Sequence, residues 1–241
     1  MSSTFDADAF ATLVRTRRSI RSFSPDPIPA EVLERVLADA TWAPSGSNAQ
    51  PYVLCIASGA KRDRISAAYC ALFDASLPVQ RRERFAKVRA FVTRRGLRDG
   101  DYDTTRPYPP EMQQRRRATG FGLYAALGID RKDRARRDAQ MRRNFEFFGA
   151  PTAIFVFVHA GMYEWAIEDA GMLLQTLMLS AHANGLGTCA QGALTTWASP
   201  VRAEFDVPAD YKLLVGCAIG YADDDPVNTF NPGRLPLTVL A

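Results

Sequence analysis

The chain has 241 residues, of which 47% are hydrophobic and 23% charged, with a formal net charge of +4; such a composition supplies a buried core and excludes an intrinsically disordered chain. No apolar run approaches the roughly eighteen residues needed to span a bilayer, the N-terminal MSSTFDADAF lacks the basic and apolar parts of a signal peptide, and four widely spaced cysteines with no CxxC pair suggest neither a disulfide framework nor a zinc site. A single-domain cytoplasmic protein without membrane contact or metal is expected.

Residues 6–16 read as a first helix, with Phe10, Leu13 and Val14 on one face and Asp6 and Asp8 near its start. FSPDPIP is a turn, because prolines fix φ and push their predecessors toward extended backbone. From Ala30 to Trp42, Val32, Leu33, Val36, Leu37 and Ala40 recur at helical spacing, and APSGSNAQP breaks that helix into a loop. YVLCIA (52–57) is a short β-prone run that predicts a buried strand, and residues 60–73 resume a helical pattern.

Residues 81–143 then carry 19 of the 30 Lys and Arg and 8 of the 26 Asp and Glu, so this segment is +11 and the remainder −7. Its first part suits an arginine-rich helix, whereas GLRDGDYDTTRPYPPE is an irregular loop of a length that is usually functional. Helical character returns in RATGFGLYAALGI and RKDRARRDAQMRRNFEFF. The charge suits either a nucleic-acid surface or the solvated face of arginine-rich helices; the aromatic interleaving of a single-strand platform is missing, and no nucleic-acid partner is expected.

TAIFVFVH (152–159) predicts a second buried strand. The longest helix, about 163–184, is apolar almost all round and belongs at the centre or at a subunit interface. GLG ends it. LLVGCAIGY (213–221) predicts a third strand before a polar, proline-rich tail. Helices outnumber strands without regular alternation, which argues for an α+β fold rather than a doubly wound sheet.

The inventory nearly excludes hydrolytic machinery: there are two histidines, His159 and His182, with no HExxH and no GxSxG elbow. Both histidines read as structural. Two GxGxxA strings, Gly120–Ala125 and Gly185–Ala190, lack the preceding strand that a dinucleotide fingerprint needs, and the second reads as a helix C-cap. RTRRSIRSFSPDPIP is more informative. Arg17, Arg18 and Arg21 offer planar, permanently charged forks suited to phosphate, Ser19 adds a hydroxyl donor, and Arg15 is left as a surface residue. APSGSNAQP supplies small side chains and free amides against which a flat ring can lie, and NPGRLP adds Arg234.

These elements, in this order, resemble the FMN-dependent nitroreductase family. RRSIRSFSPDPIPAEVLERVLADATWAPSGSNAQPY looks like its N-terminal signature, WAIEDAGMLLQTLMLSAHANGLGTCAQGAL is similar to its central helix and the following turn, and VGCAIGYADDDPVNTFNPGRLPL resembles its last strand and basic tail. The resemblance implies an α/β/α sandwich with an antiparallel or mixed central sheet, and an intertwined homodimer with two FMN sites at the interface. By position it assigns Arg17, Arg18, Ser19, Arg21 and Arg234 to the FMN phosphate and ribityl chain. Pro44, Ser45, Gly46, Ser47 and Asn48 of the partner subunit pack against the isoalloxazine. Gln191 and Gly192 lie on its other side, and Asn144 is a further contact at the ring edge. NADH or NADPH is the expected donor and a small aromatic acceptor, a nitroaromatic or a quinone, follows it in ping-pong order. No catalytic acid, base or nucleophile is named, since flavin N5 carries the chemistry.

The segment from about 75 to 143 is an insertion relative to the smallest family members and resembles that of nitrobenzoate-type reductases. It is expected to cover the active site, with Tyr102, Tyr108, Phe121 and Tyr124 as candidate acceptor contacts. Its arginines either favour anionic acceptors or face solvent. Alternatives are other flavin chemistry on the same fold (dehalogenation, flavin fragmentation or a dehydrogenation) and, from another class, nucleic-acid binding through 81–143. No convincing deiodinase-type lid constellation is present, which lowers the first.

Overall fold

The structure is a computed structural model that describes residues 6–104 and 106–240. Four strands form one sheet: β1 (Tyr52–Ser58), β2 (Thr152–His159), β3 (Gly187–Gln191) and β4 (Tyr211–Gly220), in the order β1-β2-β4-β3. Every pairing between them is antiparallel. At the open edge of β3 a single bridge, Ser19 to Thr188, runs parallel.

The strand β2 is buried on both sides, so its sequence is a continuous apolar run rather than an alternation. Ala153, Phe155 and Phe157 face one layer of the core, and Ile154, Val156 and Val158 face the other. Against the second face pack α2 (Ala30–Ala40) and α7 (Tyr163–Ala183), through Val36 and Ala40 and through Ala166, Ala170, Leu173, Leu177 and Ala181. Their spacing of three and four makes one apolar stripe per helix. Against the first face packs α3 (Gly59–Gln80), through Ile65, Tyr69, Cys70 and Phe73. The fold is therefore an α/β/α sandwich of the α+β class.

Several boundaries differ from the sequence reading. The short strand β3 is absent from it, because GTCAQ has only one β-branched residue and follows a helix directly. What makes it a strand is pairing with β4 (Thr188 with Ile219, Ala190 with Cys217). The helix α3 continues to Gln80, past the 60–73 expected, with Ser76 buried and Leu77 packed against the core. Its Pro78 stands in the last turn, where one missing N–H is tolerated. The helix α5 (Pro110–Ala126) starts at a proline, as first helical positions favour, and not at Arg117. A short helix, α8 (Ser199–Arg202), also has no counterpart in the sequence reading. The remaining helices, α1 (Ala7–Thr16), α4 (Ala86–Thr93) and α6 (Arg134–Arg142), fall within the segments that read as helical.

The C-terminus of α7 is a Schellman motif. Leu186 N–H donates to the Ala181 carbonyl at 2.8 Å and Gly185 N–H to His182 at 3.1 Å, with Gly185 at φ +77°. The first glycine of GLG thus caps the helix. The second, Gly187, opens β3 where Ile20 lies so close that an added Cβ would be 2.6 Å from Ile20 Cγ1.

The long loop after α4 is irregular but pinned. Trp197 Nε1–H donates to the Leu97 carbonyl (2.9 Å), Gly100 N–H to Thr196 (3.1 Å), and Asp99 Oδ1 accepts from Ala198 N–H (2.8 Å). Asp101 Oδ2 accepts from Leu213 N–H at 2.8 Å and from Arg202 at 3.3 Å. Three arginines of the basic segment are tied down by polar contacts: Arg81 pairs with Asp138 at 2.7 Å, Arg142 with Asp74 and Glu146, and Arg136 donates to the Gly128 carbonyl just beyond α5 at 2.8 Å. Among the described residues, no helix is long and apolar enough to cross a membrane.

Candidate active site

The helix α1 is capped by Asp6, whose carboxylate accepts from Asp8 and Ala9 N–H. It ends at Arg17, where the backbone turns extended. From there the chain runs along the open edge of β3, held by Ile20 N–H donating to the Thr188 carbonyl at 3.0 Å. The C-terminal strap comes to meet it. Asn228 Oδ1 accepts from Arg21 and Ser22 N–H at 2.8 and 3.2 Å, and Arg18 Nη1 donates to the Thr229 carbonyl at 2.8 Å. Phe230 packs on α5 at Gly122, where a Cβ would stand 2.8 Å from its ring.

These contacts enclose a cavity of about 320 Å³ lined by Arg15, Arg17, Arg18, Ser19, Arg21 and Arg234, with Thr119 of α5 and no carboxylate among the described residues. Arg15, which the sequence leaves as a surface residue, lines it too. Five arginines around one space, with no counter-charge among the described residues, suit a phosphate-like anion chemically.

The strand β3 leads away from this cavity. Three residues beyond Thr188, about 10 Å along an extended chain, Gln191 is 3% exposed. Its Nε2 donates to the Asn144 carbonyl at 2.8 Å, and its Oε1 is buried without a hydrogen-bond partner. Gly192 follows, with open space where a side chain would stand. Beside it lies a larger cleft of about 700 Å³, lined by Gly192, Ala193, Phe73, Met141, Phe145, Thr195, Trp197 and, from the loop and α5, Arg98, Asp103, Arg106, Tyr108 and Arg116. One strand thus links an anion cavity to an unsatisfied amide and an open glycine.

The Pro44–Asn48 loop is elsewhere. Gly46 N–H donates to Asp169 Oδ1 of α7 at 3.0 Å, whereas Thr16, next to the arginines, bonds His182 of the same helix at 2.9 Å. Residues 169 and 182 are about 20 Å apart along a helix rising 1.5 Å per residue. Within one chain the loop therefore does not reach the arginine cavity. Ser47, Asn48 and Gln50 all have positive φ (52°, 56° and 46°), an unusual concentration for non-glycine residues.

Of the four candidate aromatic contacts, Tyr108 lines the cleft. Tyr102 packs on the core layer beneath α2 and α7, with Lys212 Nζ 6.0 Å from its ring centre. Phe121 stacks under Arg131 at 3.5 Å, and Phe121 and Tyr124 belong to α5, outside the cleft lining. His159 Nδ1 accepts from Gly161 N–H at 3.1 Å, and its ring meets Tyr211 edge-on at 5.2 Å. Burial raises the thiols of Cys55 and Cys189 to about 11 and that of Cys217 to about 12, so none is a nucleophile near neutral pH.

Two residues escaped the sequence reading. Asn228 clamps both termini of the site, and nothing in DPVNTF marks it. Asp169 is 3% exposed on the buried side of α7, next to the exposed Glu168, and its Oδ2 is buried without a partner; its place in register with the apolar stripe of WAIEDAGMLL was the available signal.

The Nitroreductase family matches residues 14–221. Nitroreductase NfnB of Mycolicibacterium smegmatis is 36% identical over 235 residues, covering 98% of this chain and 91% of the relative. The 4-nitrobenzoate reductase of a Nocardioides species is 32% identical over 221 residues, covering 90% and 81%. Among solved structures, the FMN-dependent nitroreductase NfnB from Mycobacterium smegmatis in complex with NADPH superposes with a TM-score of 0.80 at 33% identity, over 98% of this chain and 99% of that one. With its sandwich fold, its arginine cavity and these similarities, the chain belongs to the nitroreductase family.

Proposed function

We propose that the chain is an FMN-dependent nitroreductase that takes reducing equivalents from NADH or NADPH and delivers them to nitroaromatic compounds or quinones. The observation that carries this is the track along β3: a carboxylate-free cavity with five arginines at one end, and the unsatisfied Oε1 of Gln191 with the open Gly192 at the other. An elongated ligand with a phosphate at one end and a flat, hydrogen-bonding ring at the other fits both. Relatives of this chain are FMN-dependent and bind NADPH.

Arg17, Arg18, Ser19, Arg21 and Arg234 hold the phosphate and ribityl chain. Asn144, Gln191 and the backbone amide of Gly192 face the ring, and the arginine-rich segment covers the cleft. When bound, FMN supplies the redox chemistry, accepting a hydride from the nicotinamide and passing two electrons to an acceptor that follows into the same cleft. In sum, one NAD(P)H and one proton convert a nitro group to a nitroso group and water. The protein binds, orients and excludes water; no side chain is required as nucleophile.

A homodimer completes the site. Phe10 of α1 and Trp165 of α7 are 61% and 68% exposed, and Leu235, Leu237, Val239 and Leu240 of the tail are exposed as well, an apolar surface that a second copy covers. That copy supplies Pro44–Asn48, which this chain's own arginines do not meet. The test is the absorption spectrum of the purified protein, then anaerobic reduction by each nicotinamide and reoxidation by a panel of acceptors, with sedimentation for the dimer. A colourless monomer that no nicotinamide reduces after FMN addition would refute this function.

A further inference from the structure

We propose that the cleft beside Gly192 is selective for acceptors that carry an anionic group, so that an aromatic carboxylate is preferred over its neutral isostere. This deepens the flavin reading above and rests on it. The floor of the cleft is apolar and close-packed: Phe145 and Trp197 are buried, their ring centres 5.3 Å apart. Its wall is cationic. Arg98, Arg106 and Arg116 line it against one carboxylate, Asp103, which leaves a local excess of two positive charges.

These arginines differ from Arg81, Arg136 and Arg142 of the same segment. Arg81 and Arg142 are each held by short carboxylate contacts, and Arg136 by carbonyls after α5. In the cleft, Arg106 stands 3.8 Å from Asp103 with its side chain 86% exposed, Arg98 donates to the Thr104 hydroxyl at 3.4 Å, and Arg116 Cζ lies over the Tyr108 ring, 5.2 Å from its centre. A guanidinium held over a ring by its charge keeps N–H donors to offer a ligand. A flat acceptor on the apolar floor therefore meets guanidinium donors at its rim, where a carboxylate is bound by charge-assisted hydrogen bonds that an amide lacks.

The experiment is steady-state kinetics of the FMN-loaded protein with 4-nitrobenzoate and 4-nitrobenzamide, equal in shape and different in charge. We expect the KM for the carboxylate to be lower by about tenfold, or about 1.4 kcal/mol. Raising the salt until the Debye length falls from about 30 Å to about 8 Å should shrink that ratio. Arg98→Gln, Arg106→Gln and Arg116→Gln, singly and combined, should bring the ratio toward one. Arg64→Gln, a surface pair with Glu204 remote from the cleft, should leave it intact. Equal KM values in the unmodified protein, or a ratio unmoved in the triple variant, would overturn the proposal while leaving the flavin function standing. So would a triple variant that shifts only the NADPH-to-NADH preference, which would assign the arginines to the donor's extra phosphate. A protein that takes up FMN yet reduces neither compound would overturn both.

Discussion

The Gln191 side chain donates from Nε2 to the Asn144 carbonyl at 2.8 Å, while its Oε1 is buried with no partner. One bond thus fixes the amide plane and leaves its acceptor end unsatisfied. A buried acceptor without a donor is costly unless a ligand supplies one.

Replacing Gln191 with leucine separates structure from binding. It loses the bond to Asn144 but also removes the unsatisfied oxygen, so stability should change by no more than about 1 kcal/mol. FMN affinity should fall at least about tenfold. Urea unfolding of the apoprotein and a fluorescence titration with FMN measure the two; a large stability loss with unchanged affinity would make Gln191 purely structural.

Arg18→Ala and Arg21→Ala should weaken FMN binding by about 10- to 100-fold each, the scale of a hydrogen bond to a charged group. Both should lose the yellow colour on dialysis. Arg18 also ties the strap to the site through Thr229, so its loss should additionally expose the tail to protease. If both variants stay fully yellow, the phosphate assignment is wrong.

Asp169 holds the strained 44–50 loop through Gly46 N–H at 3.0 Å. Asp169→Ala should destabilise the protein by about 1–3 kcal/mol and weaken FMN binding from across the dimer interface. Asp169→Asn keeps an acceptor for that N–H and should be the milder change. Equal behaviour of the two variants in thermal melts and FMN titration would remove the anchoring role.

His182 Nε2 lies 2.9 Å from the Thr16 hydroxyl, and burial first, then the Arg17 charge, hold its pKa below 6.5. The folded state therefore binds a proton less readily than the unfolded chain. The stability from neutral His182 is complete above about 6.5 and is lost as pH falls from there through the lower folded value. Melting temperature should drop over that interval in the native protein, and His182→Gln should lack this component. Superimposable profiles would disprove it.

Gly100 is pressed against the backbone: an added Cβ would be 1.9 Å from the Thr195 carbonyl oxygen. Gly100→Ala should cost about 1–3 kcal/mol and loosen the loop from Trp197. Trp197 is the buried tryptophan, with Trp42 and Trp165 exposed, so a red shift of its emission reports the release. An unshifted spectrum with native stability would show that the loop accommodates the methyl group.

The parts of this protein legible in its sequence are those where neighbouring residues carry the signal. YVLCIA, TAIFVFVH and LLVGCAIGY are runs whose burial on the sheet forces apolar side chains at successive positions, and the helices α2 and α7 repeat theirs every three or four residues. The clustering of Arg17, Arg18 and Arg21 raised an anion site as a candidate, because like charges gathered in one stretch favour a counter-charge, but by itself it suited a solvated surface run as well. Tertiary structure decided what depends on residues far apart. Thr188 to Gln191 is a strand only because β4 offers an edge to pair with, and Arg21 meets Asn228, 207 positions away, only because the strap returns along that edge. It decided equally that Tyr108 faces the cleft while Tyr102 does not, and that the 44–48 loop sits at the far end of α7 from its own chain's arginines. Local propensity records what a residue does to its neighbours in the chain; which surfaces come together is settled by packing, and this site is built where they meet.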